Sequence, residues 1–406
     1  MESQPSFGSN CKISRRQNQL DVKFAKKVIF VIAQHYSGIE MKWHSLYLEW
    51  YVKVPTVKFD FRSSGLAYLK LDLTLGEVDL SVNYAHGNPE TAKLLARRYG
   101  VEPKNVFISS DGASGQNVRI IMVLAEKSRK KEAVVEYPTY EPLLRQVQEY
   151  FPRVKRLERK AEDGYRLDAD ALREVVSDKT GLLVITNPHA PSGAVATKSD
   201  LSEVMAVAKE YGFYVLCDEI YAEFERVSIQ TAFSIDEEFG ITTTSFSKAY
   251  GLGGLRLGVA LASEKLVDEL YADTLGTIGN SSNMVQFIAA KLLRDDIRKL
   301  EGHKLRWSAL KRETEEWLDA KEFEYFQNKF GITYWVKTPI KDTYKWVNET
   351  AIPKHCVAPV PGAFFLFKSG YTIVNSSMIR LGLGNINPEN PNLQLALEAL
   401  WKAING

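Results

Sequence analysis

Between residues 105 and 262 short apolar runs rich in Val, Ile and Phe alternate with longer stretches of helical period. NVFISS (105–110), AVVEY (133–137), RVKRLE (153–158), GLLVITN (181–187), FYVLCDE (213–219), ITTTSFS (241–247) and GLRLGVALA (254–262) predict strands. The intervening GQNVRIIMVLAEKS (115–128), PLLRQVQEYF (142–151), DADALREVVSD (168–178) and KSDLSEVMAVAKEYG (198–212) predict helices. Thr197 and Asp200 stand at capping-box spacing at the start of the last one. The strand runs are continuously apolar rather than alternating, as strands covered on both faces would be. Repeated βαβ units of this kind build a mostly parallel sheet with helices on both sides.

Beyond residue 284 the pattern changes. MVQFIAAKLLRDDIRKL and RWSALKRETEEWLDA read as long helices, followed by strands such as GITYWVK and GAFFLF. This predicts a second, smaller α/β domain joined by the long helices, in keeping with a length of 406 residues. The stretch MESQPSFGSNCKISRRQNQ is polar and aperiodic, so residues 1–40 are expected to be a disordered extension. The folded texture starts at Met41, and one reading makes Met41 the natural start; Arg15, Arg16, Lys26 and Lys27 read as solvated charge ahead of the alternative, a basic arm.

Charge and cysteine content narrow the classes. Lys+Arg 52 against Asp+Glu 50 leaves +2, too balanced to imply a nucleic-acid or membrane partner. Cys11, Cys217 and Cys356 are scattered, giving neither metal spacing nor a disulfide framework, as expected of a cytoplasmic protein. VIFVIA (28–33) is too short to span a bilayer and lacks a signal-peptide cleavage pattern.

In open α/β sheets ligands bind at the carboxyl ends of the strands, so the residues just past each run carry the chemistry. They are Gly112-Ala113-Ser114, Tyr140, Asn187, Asp218 with Tyr221, and Lys248. Taken singly, each has an ordinary use: a surface lysine, a capping carboxylate, a turn amide, a core aromatic. Asn187, Asp218 and Lys248, however, follow one another at intervals of one βα unit. The set matches the needs of pyridoxal 5′-phosphate. An amine condenses with its aldehyde, and a carboxylate keeps the pyridine nitrogen protonated so that the ring accepts electrons. An amide and a phenol bond its 3-oxygen, an aromatic plate stacks on the ring, and a helix N-terminus with hydroxyls and an arginine holds the phosphate. GLGGLR (251–256) lacks the third glycine of a dinucleotide loop and does not open a helix after a first strand.

SFSKAYGLGGLRLG (245–258) resembles the lysine motif of the class I/II aminotransferases, fold-type I pyridoxal-phosphate enzymes, and the resemblance runs from about Met41 to the C-terminus. It implies an α/β fold with a mostly parallel seven-stranded sheet sandwiched by helices. The large coenzyme domain would cover 63–285, and a smaller α/β domain 41–62 and 286–406. Lys248 would be the Schiff-base lysine, with Ser245 and Arg256 on the phosphate. CDEIY supplies the Asp218–Tyr221 pair, TNPHAPSG supplies Asn187, and YPTY supplies the stacking Tyr140. Gly112, Ala113 and Ser114 would form the phosphate loop. Arg380 in SMIRLGLG would grip the substrate α-carboxylate, with Asn187 and a backbone contact at Gly65 beside it. Tyr84 in NYAHGNPE would reach the phosphate of the neighbouring subunit, implying a homodimer with shared sites.

The implied reaction is amino transfer between an α-amino acid and a 2-oxo acid. A lyase or decarboxylase of the same fold remains as an alternative, and a non-catalytic coenzyme-binding regulator as a remoter one that would need a DNA-binding domain. Residues 271–283 contain no Lys or Arg, which weighs against a dicarboxylate substrate held from that segment. Tyr68 and the aromatic-rich 41–51 stretch would suit apolar or aromatic side chains, and equally a core.

Overall fold

A computed structural model describes residues 45–406 apart from 68, 83, 226–229, 328–329, 369 and 390–391. The expected extension at 1–40, residues 41–44 of the aromatic-rich stretch and of the expected 41–62 segment, and Tyr68 lie outside the described residues.

Seven strands form the main sheet: β1 (Val106–Ser109), β2 (Glu132–Tyr137), β3 (Arg153–Glu158), β4 (Thr180–Thr186), β5 (Tyr214–Asp218), β6 (Gly240–Thr244) and β7 (Gly258–Leu261). Their order is β1-β7-β6-β5-β4-β2-β3, and only β7 runs against the rest. At the centre Leu182, Leu183, Val184 and Ile185 have no exposed surface. Each such side chain contributes about 1.5–3 kcal/mol. β3 departs from the expected two-sided burial. It is an edge strand whose Arg153 and Glu158 are exposed, which is why its run is charged.

The run 254–262 is only partly extended. Gly253–Leu255 form a 3₁₀ turn and Arg256 takes a left-handed backbone, φ 56° and ψ 24°, before β7 starts. GAFFLF is not a strand either: Gly362–Phe365 form a 3₁₀ turn whose two phenylalanines are buried. An apolar run does not distinguish a strand from a buried turn.

A second, antiparallel sheet has the order Val360–Pro361, Met378–Gly382, Thr333–Lys337, Tyr325–Gln327. The early strand Phe59–Asp60 pairs with Val357–Ala358. Residues 61–63 continue beside the Met378–Gly382 strand, with Gly382 N–H donating to Phe61 O (2.8 Å) and Gly384 N–H to Ser63 O (3.1 Å).

Helix starts are fixed locally. In α1 (Leu46–Lys53) the Ser45 hydroxyl caps Leu48 N–H, and the Glu141 carboxylate accepts from Ser45 Oγ (2.9 Å) and Tyr47 N–H (2.6 Å). α2 (Pro89–Tyr99) is capped by Asn88. The expected box is present ahead of helix Lys198–Tyr211: Asp200 N–H donates to Thr197 Oγ1 (3.2 Å) and Thr197 N–H to Asp200 Oδ2 (2.8 Å). The start of α3 (Gly112–Lys127) is different, because its N-cap Asp111 makes no side-chain cap.

Candidate active site

A cavity of about 610 Å³ opens at the carboxyl ends of β1, β2, β4, β5 and β6. Eight of the sequence-derived candidates line it: Gly65, Ala113, Ser114, Tyr140, Asp218, Tyr221, Lys248 and Arg256. Gly112, Asn187, Ser245 and Arg380 stand directly behind that lining, whereas Tyr84 stands apart from it.

Lys248 follows β6, and its Nζ donates to Ser64 Oγ at 3.1 Å. Burial pushes the amine's pKa below the ordinary lysine value; the Arg380 and Arg256 charges add to this, and Tyr47 and Asp218 oppose it. The 61–66 segment approaches the lysine closely. Leu66 N–H donates to Lys248 O (2.8 Å), and a Cβ on Gly65 would lie 2.9 Å from Lys248 Cδ. Only glycine fits there without moving the lysine stem.

Asp218 ends β5, buried, with its pKa raised by burial. Asn117 Nδ2 donates to its Oδ2 (2.8 Å) and Ile220 N–H to its Oδ1 (3.0 Å), while Asn117 Oδ1 accepts from Thr243 Oγ1 (2.6 Å). No ion pair is formed by Asp218 among the described residues. A buried carboxylate in this state gains from a cationic partner.

Asn187, fully buried, uses its Oδ1 to accept from Ala196 N–H (2.9 Å), but its Nδ2 has no partner. A buried amide donor left unpaired costs about 1–3 kcal/mol unless a ligand takes the bond. Its position is fixed from below. The buried Glu136 carboxylate pairs with Arg159 (2.8 Å) and accepts from Thr186 N–H (2.7 Å), tying the ends of β2 and β4 together. Tyr140, at the start of α4 (Glu141–Tyr150), presents its ring beside Tyr47, with centroids 5.7 Å apart and edge-on.

At the other end of the cavity Arg256 Nη2 donates to Asp111 O (3.0 Å), and Gly112 N–H donates to Arg256 O (2.8 Å). Gly112 has φ +74°, and a Cβ there would meet the guanidinium. Holding a non-glycine residue such as Arg256 at positive φ costs about 1–3 kcal/mol, a strain that commonly marks binding loops. Ser245 is fully buried behind the cavity wall; its Oγ bonds that of Ser247 (2.7 Å), and Ser247 is the serine that lines the cavity. The uncapped start of α3, Ser114 and Ser247, and Arg256 together make an anion cradle.

Arg380 lies in mid-strand within Met378–Gly382, 3% exposed. Nη2 donates to Arg62 O (2.6 Å) and Tyr47 Oη (3.2 Å), and Nε has no partner. Tyr84 has its carbonyl bonded by Asn280 Nδ2 (2.7 Å), outside the cavity.

The donors fit pyridoxal phosphate on these observations: an unpaired amide donor, a buried carboxylate that forms no ion pair among the described residues, an amine and an anion cradle, each at a different strand end. Three contributors escaped sequence reasoning. Asn117 is a buried polar residue of α3, beside Gln116 and Arg119, which are buried as well. Ser64 and the Tyr47 hydroxyl act over 184 and 333 residues of separation, for which the sequence holds no local cue.

The chain belongs to the class I and II aminotransferases, whose family model matches residues 76–393. Aromatic-amino-acid aminotransferase 2 of Thermococcus litoralis is 32% identical over 211 residues, 50% of this chain and 54% of that protein. Histidinol-phosphate aminotransferase 2 of Pasteurella multocida is 26% identical over 330 residues, 80% of this chain and 83% of that one. The match to the Thermococcus protein therefore spans about half of that relative's length. A solved pyridoxal-phosphate-dependent aminotransferase from Streptococcus suis superposes with a TM-score of 0.77 at 22% identity, covering 88% of this chain and 96% of that one. At that identity the likeness shows the fold, fold-type I with a mostly parallel seven-stranded sheet.

Proposed function

We propose that this chain is a pyridoxal-phosphate-dependent aminotransferase that moves an amino group between an α-amino acid and a 2-oxo acid. The observation that carries the proposal is the convergence of the Lys248 amine, the Asp218 carboxylate and the unpaired Asn187 amide on one cavity, with the buried Arg380 behind it.

Pyridoxal phosphate, when bound, supplies an aldehyde that condenses with primary amines and a protonated ring that accepts the electron pair released at the adjoining carbon. Lys248 Nζ, whose pKa burial lowers, would take a proton from the substrate Cα and return it to the adjoining carbon. The Asp218 carboxylate, held by Asn117, would keep the ring proton in place. Asn187 Nδ2 and the Tyr221 hydroxyl would bond the ring oxygen, and the Tyr140 ring would cover its face. Gly112, Ala113, Ser114, Ser245 through Ser247, and Arg256 would hold the phosphate. Arg380, with Asn187 and the backbone at Gly65, would orient the substrate carboxylate.

Asp218→Ala tests the assignment. The variant is expected to fold, because it removes a buried carboxylate that has no ion-pair partner among the described residues. Amino transfer should drop by on the order of 10²-fold or more, as when one preorganised electrostatic partner is lost. Turnover close to wild type would make Asp218 a structural residue.

We also infer a large domain at 63–285, a small one at 41–62 and 286–406, a cytoplasmic location and a homodimer. Support for the dimer is the placement of Tyr84, away from the cavity of its own chain, beside the 271–283 segment through Asn280, with Leu275 and Ile278 exposed nearby. Tyr84 would then serve the partner's phosphate. Mixing inactive Lys248→Ala chains with impaired Tyr84→Phe chains should restore activity through hybrid sites. An active monomer in sedimentation would contradict shared sites.

A further inference from the structure

We propose that Ser64 is the resting partner of the Lys248 amine, accepting the Nζ hydrogen bond on its hydroxyl oxygen whenever the lysine is not covalently engaged, and turning its own O–H towards the Tyr221 phenol. The proposal rests on reading Lys248 as the reactive lysine of the proposed function.

The geometry leaves Ser64 little other use. It is 5% exposed and lines the cavity, and its partners among the described residues are Lys248 Nζ at 3.1 Å and the Tyr221 phenol. The neighbouring Ser63 differs, since its hydroxyl donates locally to Gly65 O at 2.8 Å. The position of Ser64 relative to Nζ is set on both sides. Leu66 N–H grips the lysine's own carbonyl, and Arg380 Nη2 grips the carbonyl of Arg62. Gly65 and Gly384 allow this packing, because a side chain on Gly384 would collide with Gly65 O.

A serine hydroxyl has one proton to donate. Lys248 Nζ donates to the Ser64 oxygen at 3.1 Å, which leaves the single Ser64 proton for its other neighbour, the Tyr221 phenol. Towards Lys248 the hydroxyl is then only an acceptor. An acceptor stabilises the ammonium over the neutral amine. Ser64 therefore counters the burial and the Arg380 and Arg256 charges that depress Lys248, acting on the same side as Tyr47 and Asp218. When a substrate amine displaces Lys248, Ser64 offers Nζ a fixed place beside the cavity and a hydrogen bond that favours its protonated form.

The test is competitive acetylation of the coenzyme-free protein with acetic anhydride across a pH series, following the Lys248 peptide by mass spectrometry. Ser64→Ala should lower the midpoint of Lys248 labelling by about half a pH unit or more, roughly threefold more reactive amine below the midpoint. Ser64→Cys, which keeps the volume but offers a weak acceptor, should shift the same way and serves if the alanine variant fails to fold. Ser64→Thr, which keeps the acceptor, should match wild type. An unchanged midpoint in the Ala and Cys variants would overturn the role of Ser64. Failure of the coenzyme reading shows itself separately, as absence of borohydride-trapped pyridoxal phosphate on Lys248 in the wild-type chain.

Discussion

Lys248→Ala protein should fold, bind pyridoxal phosphate only reversibly and yield no borohydride-trapped coenzyme. Folding is expected because Nζ makes one side-chain hydrogen bond, to Ser64, and truncation removes a buried amine instead of stranding one. Activity should fall by at least about 10²–10⁴-fold, the usual contribution of a positioned proton-transfer group, before the loss of covalent attachment is counted. Mass spectrometry of the reduced, digested protein locates the trapped group. Trapping in the variant at the wild-type level would place the reactive amine elsewhere.

Arg380→Lys carries the second large effect. A planar guanidinium can hold both oxygens of a carboxylate and set the torsion about Cα, whereas an ammonium is a point charge. In the structure Nη2 is committed to Arg62 O and Tyr47 Oη, while the buried Nε has no partner and is available to a ligand. Losing one desolvated charge-assisted pair costs on the order of 2–5 kcal/mol, roughly thirty- to several-thousand-fold in kcat/KM. The variant is expected to bind the coenzyme normally and to lose at least about tenfold in kcat/KM with α-amino acids, because lysine retains part of the charge interaction. Amines without a carboxylate should be much less affected. Equal loss on both substrate types would make Arg380 a structural residue that holds the 61–66 segment.

The sheet was legible where burial is two-sided. β1, β2, β4 and β5 carry apolar stretches and β6 a β-branched one, Ile241–Thr244, and the candidates Gly112, Tyr140, Asn187, Asp218 and Lys248 follow from reading at or just past their ends. Legibility fails where local pattern and tertiary role diverge. GAFFLF has the composition of a strand but folds as a turn, packed so closely that a Cβ on Gly362 would crowd Met378. The left-handed Arg256 shortens the run at 254–262 to four strand residues. Arg380 sits inside a strand, paired with Trp335, and the sequence around it carries no mark of that partner. Hydrogen bonds across the fold were out of reach. The Asn117–Asp218 bond joins residues 101 apart, and the Tyr47–Arg380 contact joins the first described helix to the last strand.

The most direct measurement of the central claim is a single-turnover assay of the wild-type chain loaded with pyridoxal phosphate and offered a panel of α-amino acids one at a time, with all products quantified. At least one amino acid should give its 2-oxo acid and pyridoxamine phosphate in equal amounts, with no free ammonia and no carbon dioxide. Release of carbon dioxide or ammonia with the coenzyme recovered unchanged, and no pyridoxamine phosphate from any amino acid, would contradict amino transfer and assign the site to a decarboxylase or lyase instead.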